Sequence, residues 1–293
     1  TAGGGGGGST LVNGANTVSL GATGTLTIPG SLTLPNGAVI RDTAGDAIAF
    51  GEGAGTTSQG NYSVAVGQQA GTNTQGASAV AVGYLAGTTS QGASAVAIGL
   101  NTGSTGQGTY SVAIGAGAGY NGQGNNSVAI GLDTGLTSQS ASAVAIGKQA
   151  GETTQGINAV AIGLEAGQTT QGSESIAIGY TAGKTTQGAF SVAVGLNAGQ
   201  TTQGSTAVAL GYNAGKTSQG INAVAIGYNA GITSQATNTI ILNATGANLN
   251  QTTANTFTVK PVRDGGSAAG MAALGFKPTY YNPTTGEFVY SSS

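Results

Sequence analysis

Tyr62-Ser63-Val64-Ala65-Val66-Gly67-Gln68-Gln69-Ala70-Gly71-Thr72-Asn73-Thr74-Gln75-Gly76 decides the fold, because the chain repeats this pattern every sixteen residues without insertion or deletion. The glycine at Gly67 returns at Gly83, Gly99, Gly115, Gly131, Gly147, Gly163, Gly179, Gly195, Gly211 and Gly227, with a forerunner at Gly51. A glutamine keeps the same beat through Gln59, Gln75, Gln91, Gln107, Gln123, Gln139, Gln155, Gln171, Gln187, Gln203, Gln219 and Gln235. A fixed period this short is the signature of a solenoid, in which each repeat is one coil stacked on the next.

Within the unit, Val64-Ala65-Val66 alternates a branched residue, a small one and a branched one, so positions 64 and 66 share one side of a strand. The first column reads Ile48, Val64, Val80, Val96 and Val112; the third reads Phe50, Val66, Val82, Ile98 and Ile114. The middle column is Ala from Ala49 to Ala225, which implies close approach of backbone on that side. Two apolar faces on one strand predict that both are buried, one inside the coil and the other against a partner chain. Gly67 and Gly71 bracket a turn, and a second strand near Thr72–Gln75 carries Thr and Gln in register. Twelve clear coils at strand spacing predict a body on the order of 58 Å long. No Pro interrupts residues 37–260, as a continuous backbone ladder requires.

These features place a parallel β-roll at residues 47–242, in an all-β chain. Residues 1–46 read as a lead-in: a linker at Gly3–Gly8, then short β pieces at Thr17–Leu20, Thr25–Ile28, Ser31–Leu34 and Ala38–Ile40. Turns are expected at Pro29-Gly30 and Pro35-Asn36-Gly37. Residues 243–293 read as a cap or small domain, with a strand at Thr256–Val262, a glycine-rich connection and a hairpin over Pro278–Tyr290. The chain opens Thr-Ala-Gly-Gly, which fits a matured product or part of a longer polypeptide.

Composition narrows the function classes. Glycine makes up 56 of 293 residues and charged residues only 5%, a profile of low complexity that the fixed apolar columns overrule. The seven Lys and Arg are scattered singly and the net charge is −2, which gives no footprint for nucleic acid and no polybasic patch for lipid. No apolar run reaches the length of a membrane span, so direct membrane insertion is not expected. With no Cys and no His, thiolate and imidazole metal sites are absent; no cofactor is expected.

The glutamine column Gln59–Gln235 reads as an amide ladder within the structure rather than a binding strip. The threonine column (Thr57, Thr89, Thr137, Thr153, Thr169, Thr185 and Thr201) reads as β-propensity with stacked hydroxyls. The column after Gly67 carries Tyr84, Leu100, Leu132, Leu164, Tyr180, Leu196, Tyr212 and Tyr228, and reads as packing between chains. Where it becomes Tyr212-Asn213 and Tyr228-Asn229, aromatic faces beside amides also suit contact with a glycan or receptor. Among the acids, Asp133 and Glu165 share a column two coils apart, near the outer limit for a glycosidase pair. The expectation is a protein without enzymatic activity.

Asn126-Ser127-Val128-Ala129-Ile130-Gly131, with Ser111–Gly115 and Ser191–Gly195, resembles the head repeat of YadA-like trimeric autotransporter adhesins. That resemblance covers 47–242 and implies a left-handed β-roll that trimerises side by side. The period of sixteen rather than about fourteen, and Thr-Thr-Gln-Gly as the second half, depart from the family pattern. Leu26–Ile40, Thr256–Arg263 and Tyr280–Tyr290 resemble segments of fibre and appendage proteins of phages and large aquatic viruses. The resemblances together imply a homotrimeric fibre on a virion or otherwise extracellular, acting as a rigid spacer that binds a host-surface glycan or protein. A bacterial surface adhesin, or a self-assembling extracellular filament subunit, is the alternative.

Overall fold

The computed structural model describes residues 47–262 throughout, the backbone of five strands within 10–43, and residues 279–282 and 284–290. The chain divides into two compact units, Thr1–Thr258 and Val259–Ser293. The described residues contain no helix; the first unit is a parallel β-solenoid with sixteen-residue coils.

Each coil contributes one strand to each of two sheets. The parallel part of the first sheet runs from Ala47–Phe50 to Ile240–Asn243, and the second from Thr57–Gln59 to Ser218–Gln219. Pairing is in register sixteen residues apart: Val80 faces Val96, Ala81 faces Ala97 and Val82 faces Ile98. Both the expected Val-x-Val/Ile strand and the expected Thr-x-Gln strand are therefore present. An antiparallel meander of Ser31–Thr33, Val39–Thr43 and Ala47–Phe50 leads into the first sheet.

The core sits inside the coil and is very thin. Ala65, Ala81, Ala97 and their successors are fully buried, as are Ala70, Ala86 and Ala118 on the facing turn. Gly71 sits at φ +55°, and a Cβ there would press on Gln75 and on Ala65. Gly67, at φ +124°, lies so close to the Gly83 carbonyl of the next coil that a side chain would collide with backbone. Those two contacts explain why the period tolerates no larger residue at either site. The last full turn of the core changes occupants: Ile241 replaces the alanine and is fully buried, with Leu249 in the same cluster.

The branched columns face the other way. Val64 and Val66 are only half-buried, and Ile48, Phe50, Ile98 and Leu210 are exposed in the single chain. The alanine face fills the coil; the Val/Ile face is the outer surface of the first sheet.

At the N-terminal end, Thr10–Asn13 pairs antiparallel with Asn16–Leu20, which pairs with Leu26–Thr27. The expected piece at Thr17–Leu20 thus has a partner strand that sequence reading left inside the lead-in, although Asn13-Gly14 is a hairpin signal. Gly3–Gly8, the turns at Pro29-Gly30 and Pro35-Asn36-Gly37, and the glycine-rich connection after 262 lie outside the described residues. In the second unit, Thr279–Asn282 and Glu287–Tyr290 form the antiparallel hairpin expected there, with the Tyr281 and Phe288 rings 5.2 Å apart.

Candidate functional site

Inside the coil, the glutamine column is structural first. Gln75 Nε2 donates to the Val64 carbonyl across the coil at 2.8 Å and more weakly to the Ala79 carbonyl at 3.3 Å. The same cross-coil bond recurs from Gln91 to Val80 and from Gln155 to Val144. Amide-to-amide rungs are added from Gln91 to Gln107, Gln139 to Gln155, Gln155 to Gln171 and Gln203 to Gln219, at 3.0–3.1 Å. From Gln75 to Gln235 the column is buried, so it offers no surface strip. Its main anchorage is the backbone opposite, with the ladder superposed on it.

The serine of the Asn-Ser-Val-Ala-Ile-Gly unit also works inward. Ser127 Oγ donates to the Gly124 carbonyl at 2.7 Å, and Ser63, Ser111 and Ser191 repeat the bond to the glycine three residues earlier. It closes the turn that delivers the chain into the first sheet.

The outer surfaces are what remain for partners. On the first sheet they are apolar, two branched columns running the length of the solenoid. On the second sheet they are polar: Thr57, Thr89, Thr153, Thr169, Thr185 and Thr201 point outward and are exposed or half-buried. At the edge where the chain passes from first sheet to second, the column after Gly67 exposes Tyr84, Leu100, Leu132, Tyr180, Tyr212 and Tyr228.

The tyrosine-asparagine pairs lie on that edge. The rings of Tyr212 and Tyr228 stack with centroids 5.1 Å apart and 6° between planes. Asn213 and Asn229 are 7% and 8% exposed, because their amides are turned along the solenoid. Asn197 Nδ2 donates to Asn213, Asn213 to Asn229 and Asn229 to Asn248, at 2.9, 3.0 and 2.7 Å. Thr181 starts this line by donating to Asn197. The rings are accessible to a ligand; the amides are engaged with each other. Sequence reading found the pairs, but the ladder that continues to Thr181 and Asn248 shows only in three dimensions.

Among the described residues the carboxylates are dispersed. Glu165 is ion-paired with Lys184 at 2.6 Å, while Glu52 and Glu152 accept from Gln68 and Gln168 of the next coil. Asp133, two coils before Glu165, has Gln149 between them in the column. Among the described residues no three Asp or Glu side chains group as metal ligands.

The family model described as the YadA head domain repeat (2 copies) matches residues 43–70, 58–86, 90–118 and 203–230. The intervening coils continue the same register without interruption, from Asn121↔Thr137 to Thr186↔Thr202 in the second sheet. No curated protein and no solved structure matches the chain. YadA head domain repeats are thus found in the sixteen-residue coils of this parallel β-solenoid that lie within 43–118 and 203–230.

Proposed function

We propose that the protein is an extracellular, surface-exposed adhesin rod that assembles side by side into a homotrimer and holds a binding surface away from the cell that displays it. The observation that carries this reading is the contrast between the outer surfaces of the two sheets. Half-buried Val and exposed Ile columns of this length are unusual on a lone chain and mark an interaction surface. Repetition of the same columns on every copy makes a second copy the natural partner, and closed rotational assembly ends growth at a defined number.

The matched head repeats support a bacterial surface adhesin better than a viral attachment fibre, a reading that rests on the short flanks alone. A mechanical role is supported by the separation of the two acids that share a column: among the described residues Glu165 is held by Lys184 and Asp133 stands two coils away. The test is the native mass of the full chain by light scattering. A particle of three chains is the expected result, a monomer would overturn the assembly, and an open-ended polymer would make the protein a filament subunit. The gene neighbourhood separates the two origins: a membrane anchor marks the adhesin, a run of tail genes the virion.

A further inference from the structure

We infer that the edge of the solenoid carries a carbohydrate site, a notch over Ala116-Gly117 that takes one pyranose unit of a glycan. The inference deepens the adhesin reading by naming a ligand class, and it rests on that reading for its biological sense. Its geometry stands on the notch alone.

The notch exists because one coil is short of side chains. After the repeat glycine, the flanking coils carry Leu100-Asn101 and Leu132-Asp133, whereas the coil between them carries Ala116-Gly117. The depression is shallow and open to solvent, with a volume of about 440 Å³. Its backbone is continuous with its neighbours: Gly117 N–H donates to the Leu100 carbonyl and Asp133 N–H to the Ala116 carbonyl, both at 2.9 Å. Only the side-chain rung is missing.

What a rung does here is visible further along the same edge. Asn197, Asn213 and Asn229, with φ of 56°, 52° and 50°, join amide to amide from coil to coil. Asn101 and Asp133 hold the same backbone conformation, φ 53° and 52°, but the position between them is glycine. The Asp133 carboxylate leans into the vacancy, where a Cβ on Gly117 would collide with it. Among the described residues neither that carboxylate nor the Asn101 amide has a hydrogen-bonding or ionic partner. Two coils separate them, about 9.6 Å at strand spacing. Tyr120 presents an exposed ring beside the gap, and the leucines 100 and 132 form its walls.

The chemistry of these groups selects the occupant. A carboxylate only accepts hydrogen bonds, whereas an amide both donates and accepts. The occupant must therefore donate at one end, exchange hydrogen bonds at the other and offer an apolar face to a tyrosine ring. A pyranose meets all three demands, with hydroxyls around its rim and C–H groups on its face. An alkylammonium satisfies Asp133 and leaves Asn101 unanswered; an anion is repelled by Asp133. The flanking coils are also braced: Thr102 and Thr134 replace the usual alanine, and their buried hydroxyls donate at 2.5 Å to the Gly115 and Gly147 carbonyls. A site held on such a frame is pre-organised.

The experiment is saturation-transfer NMR on the full chain with the methyl glycosides of glucose, galactose and N-acetylglucosamine, and with n-butylammonium as the cationic probe. At least one glycoside is expected to bind with a millimolar-range Kd, with transfer strongest at its C–H face. Ala116→Leu and Gly117→Asn should each weaken it at least about tenfold. Both install residues that the same columns already hold at Leu100, Leu132, Asn101 and Asn213, so the fold is expected to persist. No transfer from any of the three glycosides, or transfer that survives Ala116→Leu, would overturn the site, as would binding of n-butylammonium alone. Native mass on the same samples reads the assembly separately: a trimer without sugar binding removes the notch and leaves the rod, and a sugar-binding monomer does the reverse.

Discussion

The two sheets of each coil enclose one interior and part company on the outside. The strand of the first sheet turns alanine inward and Val, Ile or Leu outward; the strand of the second turns glutamine inward and Thr, Ser or Asn outward. Inward positions are set by thickness, since Gln75 spans the whole coil to reach the Val64 carbonyl. Nothing larger than alanine fits opposite a side chain that must cross so short a gap. The outward positions answer to a different constraint, namely what each surface meets. An apolar outer sheet beside a polar one, in the same coil and at the same length, separates the demands of folding from those of association.

The sharpest way to break that comparison is to charge each outer surface in turn. Ile146→Lys with Ile178→Lys, at positions 36% and 37% exposed in the single chain, should convert the proposed trimer to monomer in light scattering. Thr153→Lys with Thr169→Lys on the second sheet should leave the mass unchanged. Equal effects of the two pairs would dissolve the distinction drawn here.

A second test goes to the shared interior. Gln155→Leu removes bonds to the Val144 and Ala159 carbonyls and to the Gln171 amide. The loss should be about 3 kcal/mol, because the hydrogen-bonding groups left behind are buried. Coils interact mainly with their neighbours, so hydrogen exchange should accelerate in the coils around 155 before it does elsewhere.

The second sheet itself comes in two forms, which a third substitution sharpens. Its middle residue is left-handed at Ser58, Thr74, Ser90, Gly106, Gly122 and Ser138, but not at Thr154, Thr170, Thr186 or Thr202. Gly122→Val should destabilise by about 1–2 kcal/mol, the cost of a Cβ in that conformation. Thr170→Val should stay within about 0.5 kcal/mol. Chemical denaturation of the pair measures the difference. The smallest expected effect belongs to the ion pair: Lys184→Ala should cost less than about 1 kcal/mol, and less again in high salt, because both partners are partly solvated.

Much of this architecture was legible from residues alone, for physical reasons. A glycine every sixteen residues and a Val-Ala-Val alternation force stacked strands, and an all-alanine column announces close backbone approach on one side. Which apolar face turns outward was not legible, because alternation is symmetric until the glutamine is placed across the coil. The amide line from Thr181 to Asn248 escaped notice for a related reason, since its members carry different residue types and the last is nineteen residues, not sixteen, from Asn229. The notch escaped because Ala116-Gly117 reads as two more small residues in a glycine-rich chain. Only the loss of a side chain between Asn101 and Asp133, seen in place, gives it meaning.

The alanine-and-glutamine interior has a calorimetric consequence. Heat capacity rises on unfolding when apolar surface meets water and falls when polar surface does, so an interior of methyl groups and amides nearly balances the two. The coil interior should therefore contribute well under the ordinary 12–15 cal/mol/K per residue. A solenoid built this way has a shallow stability curve. It should neither gain much on cooling nor fail steeply on warming, which leaves temperature sensitivity to the outward branched columns.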